Sequence, residues 1–542
     1  MRKTLTIILC FTAGLLAAQE QIHPVIQVER LYDADLIEVS KPTLDTSIPD
    51  SLRTFHTLFE YKIFDKPLVN LYDFAPLPPA LARAARGLEK QYGYINLGTG
   101  YPWTPKADVF LQAPLPSGWY AGLQANHRSL LSTDTRLTTT GLFALEHRGK
   151  NNTFRLYAPA EVLSHSFTGP GNAFYYKTGG GLETFSHKSA PGDWHYYWKS
   201  EYLHAINNVT KTVDNIPKIR ENVLNLKALA GYNMSEKFRI NLGMSAQFAS
   251  DRWSPDSVSV SGATAHLFPH VVLNGARYKV AAGIKIGYLL RPDNNKLGFF
   301  PWFDTHLVLA KDVLTLFARV DGYQKLNTFQ DRISENPWVT ANELFDAYVP
   351  WDVQAGITGT VADRFQYKIY GAYRYMKNRV YYGAQPSVVD FTGMYRTTGM
   401  YRISYADETR YSAVALLSFQ TKPIMAGISG SWHKYALNTG NPPWHEPEWE
   451  VQAFVRYNIR ERIVFSVDAH WQAACFAPDW IADNPPVEIP SFINLRAQAE
   501  YVLHKGFSVY VFGDNLLNKK ISLFYLYPNP GLTLGGGITL RF

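Results

Sequence analysis

Leu532-Thr533-Leu534-Gly535-Gly536-Gly537-Ile538-Thr539-Leu540-Arg541-Phe542 closes the chain, and its reading decides the fold. Leu532, Leu534, Gly536, Ile538, Leu540 and Phe542 share one side of an extended strand, while Thr533, Gly535, Gly537, Thr539 and Arg541 share the other. One side is apolar and the other is not. A half-buried strand of a soluble sheet gives the same alternation. The rest of the chain has to decide between a core on that side and a membrane.

The same period runs back through residues 92–542. Tyr278, Val280, Ala282, Ile284, Ile286 and Tyr288 form one apolar row, opposite Arg277, Lys279, Lys285 and three small residues. Phe238, Ile240, Leu242, Met244, Ala246 and Phe248 form another, opposite Arg239, Asn241, Ser245 and Gln247. Each row begins and ends in an aromatic. Ten residues at ~3.3 Å each, inclined by ~35–45°, rise roughly 23–27 Å, the height of the ~25 Å apolar band of an outer-membrane barrel with its two aromatic girdles. Strands of soluble domains are usually only ~5–6 residues long. Phe238, Phe248, Tyr278, Tyr288, Leu540 and Phe542 are therefore expected to face lipid.

Break lengths give an independent check, because barrel strands alternate short periplasmic turns with longer outside loops. Tight breaks near residues 114–117, 149–151, 190–193, 234–236, 274–275, 310–311, 361–363, 421–422, 460 and 504–506 alternate with wider ones at 207–217, 324–349, 378–408, 438–446, 475–487 and 521–530. The expected fold is all-β: a transmembrane antiparallel β-barrel of 22 strands with both ends on the periplasmic side, or of 20 if the short joint at 101–105 does not turn the chain. Residues 398–405 read as a strand of their own, so the two longest loops are expected to hold a projecting hairpin.

Ahead of this run, Met1-Arg2-Lys3, the apolar stretch from Leu5 to Leu16 and Ala17-Ala18-Gln19 read as a secretory signal peptide over residues 1–18. Residues 19–91 carry Pro24, Pro42, Pro49, Pro67, Pro76, Pro78 and Pro79. Proline at that density breaks helices and central strands. The segment is expected to be irregular, periplasmic or lumenal, with a short helix near 79–90.

Composition excludes several classes. Mean hydropathy is −0.18, and no apolar run after residue 18 reaches the ~20 residues of a spanning helix. Aromatics nevertheless make up 14% of the chain, more than one core needs. Cys475 is the sole cysteine after the leader, which excludes a disulfide scaffold. Loss of Arg2 and Lys3 with the leader takes the formal charge from +7 to +5. No basic block remains, so no nucleic-acid partner is expected.

The final hairpin carries a resemblance. Phe507-Ser508-Val509-Tyr510-Val511-Phe512-Gly513-Asp514-Asn515-Leu516-Leu517-Asn518-Lys519, followed by Pro530-Gly531 and the closing strand, resembles the end of a TonB-dependent receptor barrel. Over residues 92–506 the resemblance is one of architecture and rhythm. Such receptors place a folded plug before the barrel, and 22-stranded transporters have plugged lumens. Residues 19–91 give only 73 residues, against ~100–150 for a compact domain. The chain thus resembles the plug-lacking receptor-like barrels of Bacteroidetes-type outer membranes. The resemblance implies a receptor-like channel, or a membrane subunit of an envelope complex, without plug-based energy-coupled import.

Motifs for chemistry are sparse. The sequence holds no Gly-x-Ser-x-Gly elbow, no His-Glu-x-x-His and no phosphate-binding glycine loop. Trp444-His445-Glu446-Pro447-Glu448-Trp449-Glu450, with Trp432 and His433 before it, is the nearest to a cluster. His445, Glu446 and Glu448 lack a second close histidine, so the stretch reads as a polar rim with interfacial aromatics. Gly179-Gly180-Gly181 and Gly535-Gly536-Gly537 read as bends or close approaches within strands. Asp134, Asp251, Asp256, Asp293, Asp331 and Asp352 read as solvated loop charges, and Cys475 as an inert thiol. Arg277, Lys279 and Lys285 would make the lumen locally basic. No catalytic, cofactor-binding or metal residue is assigned and no enzyme is expected. The partners expected are outer-membrane lipid, an unidentified solute and other envelope proteins. The competing classes are a secreted carbohydrate-binding sandwich or propeller, and an outer-membrane enzyme.

Overall fold

The computed structural model describes residues 92–542, apart from 132–134, 168–170, 211–217, 255–257, 293–294, 341–343, 385–387, 390–394, 397–398, 480–483 and 505. The leader at 1–18 and the segment at 19–91, with its expected helix, lie outside the described residues.

A 22-stranded antiparallel sheet closes on itself. Gly93–Tyr101 pairs with Lys106–Pro114 on one side and with the last strand, Thr533–Arg541, on the other. Closure leaves no unpaired edge, the condition for a sheet to sit in hydrocarbon. A single ring is neither a pair of stacked sheets nor a set of blades, which removes the sandwich and the propeller. The joint at 102–105 does turn the chain, since Gly98 faces Lys106 across it, so the count is 22 and not 20.

The seam shows why the closing stretch has its sequence. Tyr94 faces Arg541 and Tyr101 faces Leu534, so both ends of the barrel lie at one rim. Tyr92 and Gly93 both donate their N–H to Phe542 O, at 2.7 and 2.8 Å. Gly537 faces the lumen, where a Cβ would fall 2.1 Å from Leu97 O and 2.3 Å from the Tyr510 hydroxyl. That clearance lets Tyr510 donate to Asn96 Oδ1 at 2.7 Å, tying the last strands to the first.

The wall is uneven in height. Near the seam the strands are short, 8 residues in Phe507–Asp514 and 9 in Gly93–Tyr101. About a third of the way round the ring from the seam, Phe365–Ala384 and Tyr401–Gln420 have 20 residues each and stay paired to the contact of Ala384 with Tyr401. At ~3.3 Å per residue and a ~35–45° tilt, they overtop the ~25 Å apolar band by roughly the same height again. Residues 401–405 therefore belong to a barrel strand, and the projecting hairpin at 378–408 is the upper half of two barrel strands. Among its described residues the other long loop holds no hairpin. It carries a helix, Phe329–Glu335, started by Thr328, whose side chain accepts the Asp331 N–H at 3.2 Å.

Candidate functional site

The outer wall and the lumen divide the side chains as the alternation demands. Phe248, Tyr278, Tyr288 and Phe542 are 46%, 41%, 45% and 60% exposed on the outside, whereas Phe238 and Leu540 are half-buried there. Tyr278 pairs with Leu307, Tyr288 with Leu297 and Phe238 with Leu273, so the apolar rows continue from strand to strand.

The lumen wall is charged, and several of its charges are paired. Arg128 pairs with Asp108 at 2.8 Å, Arg456 with Asp468 at 2.7 Å, Arg319 with Asp321 at 3.0 Å and Arg541 with Glu500 at 3.2 Å. The three residues of the expected basic patch fare differently. Lys285 pairs with Asp321, Lys279 lies in the fields of both Asp304 and Arg239, and Arg277 sits exposed in a turn. Asp251 and Asp352, expected as solvated loop charges, are strand residues facing the lumen; Asp251 is buried and Asp352 pairs with Arg374. Asp331, in the short helix of its loop, pairs with Lys325 at 3.2 Å, while Asp134, Asp256 and Asp293 lie outside the described residues.

The residues that sequence reasoning missed lie across the cell-surface mouth. Phe329, Ile333, Trp338 and Leu344 of loop 326–346 pack against Tyr382, Met400 and Tyr401 of the projecting hairpin, and against Tyr527 of the final loop. Tyr175, Ala205 and Ile219, from strands several places away around the ring, complete this apolar cluster. Trp338 sits at its centre. Its ring stacks on Tyr527 at 3.9 Å, lies edge-on to His165 at 5.8 Å, and is covered by the Arg136 guanidinium at 5.0 Å. Its indole N–H donates to Ser166 O at 3.2 Å. Trp338 and Thr340 also exchange backbone bonds with Tyr401, at 2.9 and 2.8 Å.

Polar latches hold this cap to the wall. Glu221, from Lys218–Asn233, accepts the N–H groups of Phe329 and Gln330 at 2.6 and 2.8 Å. The carboxylate thus meets the free donors and the positive end of the short helix. Arg291 grips Asp346 through two bonds of 2.8 and 2.9 Å, and Asp346 also accepts the Asn327 N–H at 2.9 Å. On the far side Arg136 donates to Pro528 O at 2.9 Å. Loops from three parts of the ring therefore meet over the lumen around one apolar core.

The His445 stretch belongs to the cap and does not converge. The His445 ring lies against Tyr401 and Phe524 at 5.3 and 5.1 Å, and burial pushes its pKa down to about 3. Glu446 pairs with Arg379, although burial raises its pKa against that pull. Glu448 is exposed, and Glu450 takes His470 Nε2 at 2.9 Å. Among the described residues no group of three or more His, Cys, Asp or Glu could hold a metal ion. Cys475 is buried in a small hairpin, where burial pushes the thiol up to about 12.

No protein-family model and no curated protein matches the sequence. Solved structures do. The FrpB iron transporter of Neisseria meningitidis matches with a TM-score of 0.66 and 8% identity, over 84% of this chain and 83% of that one. The siderophore receptor PirA of Acinetobacter baumannii gives 0.65 and 12%, over 84% and 81%. The copper transporter OprC gives 0.65 and 12%, over 84% and 80%. The chain is therefore an outer-membrane β-barrel with the 22-strand fold of the TonB-dependent receptors.

Proposed function

We propose that this barrel is a receptor-like channel for a polar solute, gated at the cell-surface mouth by its own loops and working without plug-based energy-coupled import. The observation that carries the reading is the apolar core around Trp338, which joins loops from distant strands above a lumen lined by polar and charged side chains. A polar lumen beneath a closable lid suits passage of a hydrophilic solute. The names of the structural neighbours, an iron transporter, a siderophore receptor and a copper transporter, support a small cargo. Phe238, Phe248, Tyr278, Tyr288, Leu540 and Phe542 would make the lipid contact, and no enzymatic role is assigned.

Planar-bilayer recording tests this. Replacing residues 329–345 by a short Gly-Ser linker should turn a closed or weakly conducting barrel into a large, steady pore. A barrel whose conductance is the same with and without the loop would refute gating by the cap.

A second reading, a membrane subunit of an envelope complex, is favoured by the exposed Phe345 and Phe476 on the cap. A barrel of this fold is also known in a complex with a protein, FpvAI with pyocin S2. Co-purification that depends on Phe345 and Phe476 would select this reading over the first.

A further inference from the structure

Gly179-Gly180-Gly181 lies within the strand Asn172–Ser186, and two of the three glycines have a steric reason. Gly181 faces the lumen, where a Cβ would meet the Tyr157 ring at 2.2 Å; Tyr157 is held there by donating to Glu201 at 3.1 Å. A Cβ on Gly179 would fall 2.0 Å from Tyr202 O. Gly180 has no such reason. It is exposed on the outer wall, and the nearest atom to its Cβ would be Tyr157 O, at an ordinary 3.9 Å. Glycine weakens a strand interior, so packing alone does not account for it.

What Gly180 creates is a groove. Together with Ala158 and Ser200 it forms a low floor, walled by Phe143, Leu156 and Tyr202, with a volume of about 440 Å³. Register places Gly180 beside Tyr202, and Leu156 beside Leu182, which in turn faces Ser200. The groove opens outward and is continuous with the apolar belt, so its medium is hydrocarbon.

Its depth and its lower rim indicate the occupant. Leu156 and Ala158 come six and eight residues after Lys150 in the periplasmic turn, a rise of roughly 15–20 Å at ~3.3 Å per residue and a ~35–45° tilt. That is about half of a ~30 Å hydrocarbon core, the reach of one acyl chain from its headgroup. At the rim, the His187 N–H donates to Asn151 O at 2.8 Å and so brings two turns together. Lys150 and Lys188 are exposed on those turns, and among the described residues neither is in an ion pair. The nearby Arg148 is already paired with Glu146.

We propose that the groove binds one glycerophospholipid of the inner leaflet, with an acyl chain lying over Gly180 and the phosphate held between Lys150 and Lys188. An apolar slot at acyl depth with two cations at headgroup height matches both ends of such a lipid. The assignment is independent of whether the barrel conducts.

Native mass spectrometry on full-length protein from nanodiscs containing phosphatidylglycerol and phosphatidylcholine tests it. The wild type should retain one phospholipid and prefer phosphatidylglycerol. Gly180→Leu fills the floor and should lower occupancy roughly fivefold to thirtyfold, the worth of about ten lost carbon–carbon contacts. Lys150→Gln with Lys188→Gln should abolish the preference for phosphatidylglycerol. Heat-modifiable gel mobility verifies assembly, and Ala158→Leu fills the same floor from the neighbouring strand if Gly180→Leu does not assemble. Unchanged occupancy in a folded floor-filled variant overturns the proposal, as does retention of a polypeptide in place of lipid. An unchanged headgroup preference in the double lysine variant overturns the phosphate site.

Discussion

Replacing Trp338 by Ala removes the side chain on which the cap converges. Trp338 is 3% exposed, and its loss takes away the stack on Tyr527, the edge contact with His165, the guanidinium of Arg136 and the bond to Ser166 O. Truncating a buried aromatic to Ala costs about 3–5 kcal/mol, which already includes most of these contacts. Every partner belongs to a loop or to the upper wall, so the cost falls on the closed cap and not on the strand ladder. If it falls there in full, the open-to-closed ratio rises roughly a hundredfold to several thousandfold. Trp338→Phe keeps a ring against Tyr527 and loses the indole N–H, so a shift of only about 1 kcal/mol, or about fivefold, is expected. Single-channel recording on both variants reads the ratio as open dwell time, and unchanged heat-modifiable mobility shows that the barrel is intact. Dwell times in the Ala variant equal to those of the wild type would refute the idea that this core closes the mouth.

Two further outcomes follow from other parts of the molecule. Gly537→Val should block closure of the seam, because a Cβ there would meet Leu97 O at 2.1 Å; the band that migrates fast without heating should be lost, and a normally folded variant would show that the close approach is dispensable. His445 is held neutral by burial, its pKa down at about 3 against an ordinary 6.5. A depressed histidine contributes stability that is fully present above pH 6.5 and lost as the pH falls towards about 3; at pH 5 the loss is up to about 2 kcal/mol. The cap should therefore open more readily at pH 5 than at pH 7, and His445→Asn, which tolerates the positive φ of 62° there, should flatten that difference. Equal pH profiles of wild type and variant would refute the assignment. Glu446, whose pKa is raised, runs the other way, so the comparison has to be made between the two proteins at each pH.

The wall was legible because lipid leaves a periodic mark. Rows such as Tyr278 to Tyr288 repeat every second residue, and their aromatic ends measure the membrane. The alternation of tight and wide breaks placed both termini at one rim, which the facing of Tyr94 and Arg541 bears out. The charge of the lumen was not legible. Lys285 meets Asp321 two strands on, and only the register of those strands makes the two neighbours. The cap was missed for a related reason, since Trp338 touches residues as far apart in sequence as Ser166 and Tyr527. One local signal was present: Thr328, Phe329, Asp331 and Ile333 carry the start signature and four-residue spacing of a helix turn. It lost to the expectation of a hairpin because seven residues are too few for periodicity to dominate.

The two places where the chain departs from the economy of a plain barrel sit on opposite faces of its wall. Inside the mouth, Glu221, Arg291 and Arg136 hold loops that bury Trp338, although exposed loops would satisfy the same backbone with less ordering cost. Outside, Gly180 stands where any small side chain would fit. The loop cap costs conformational freedom, and the glycine costs strand stability. Neither helps the ring to close, because closure is already secured by the seam from Tyr92 to Phe542. Features that cost stability without supporting the fold are where function is to be sought. That argument points to the mouth for traffic or docking, and to the lipid-facing groove for whatever fixes this barrel in its membrane.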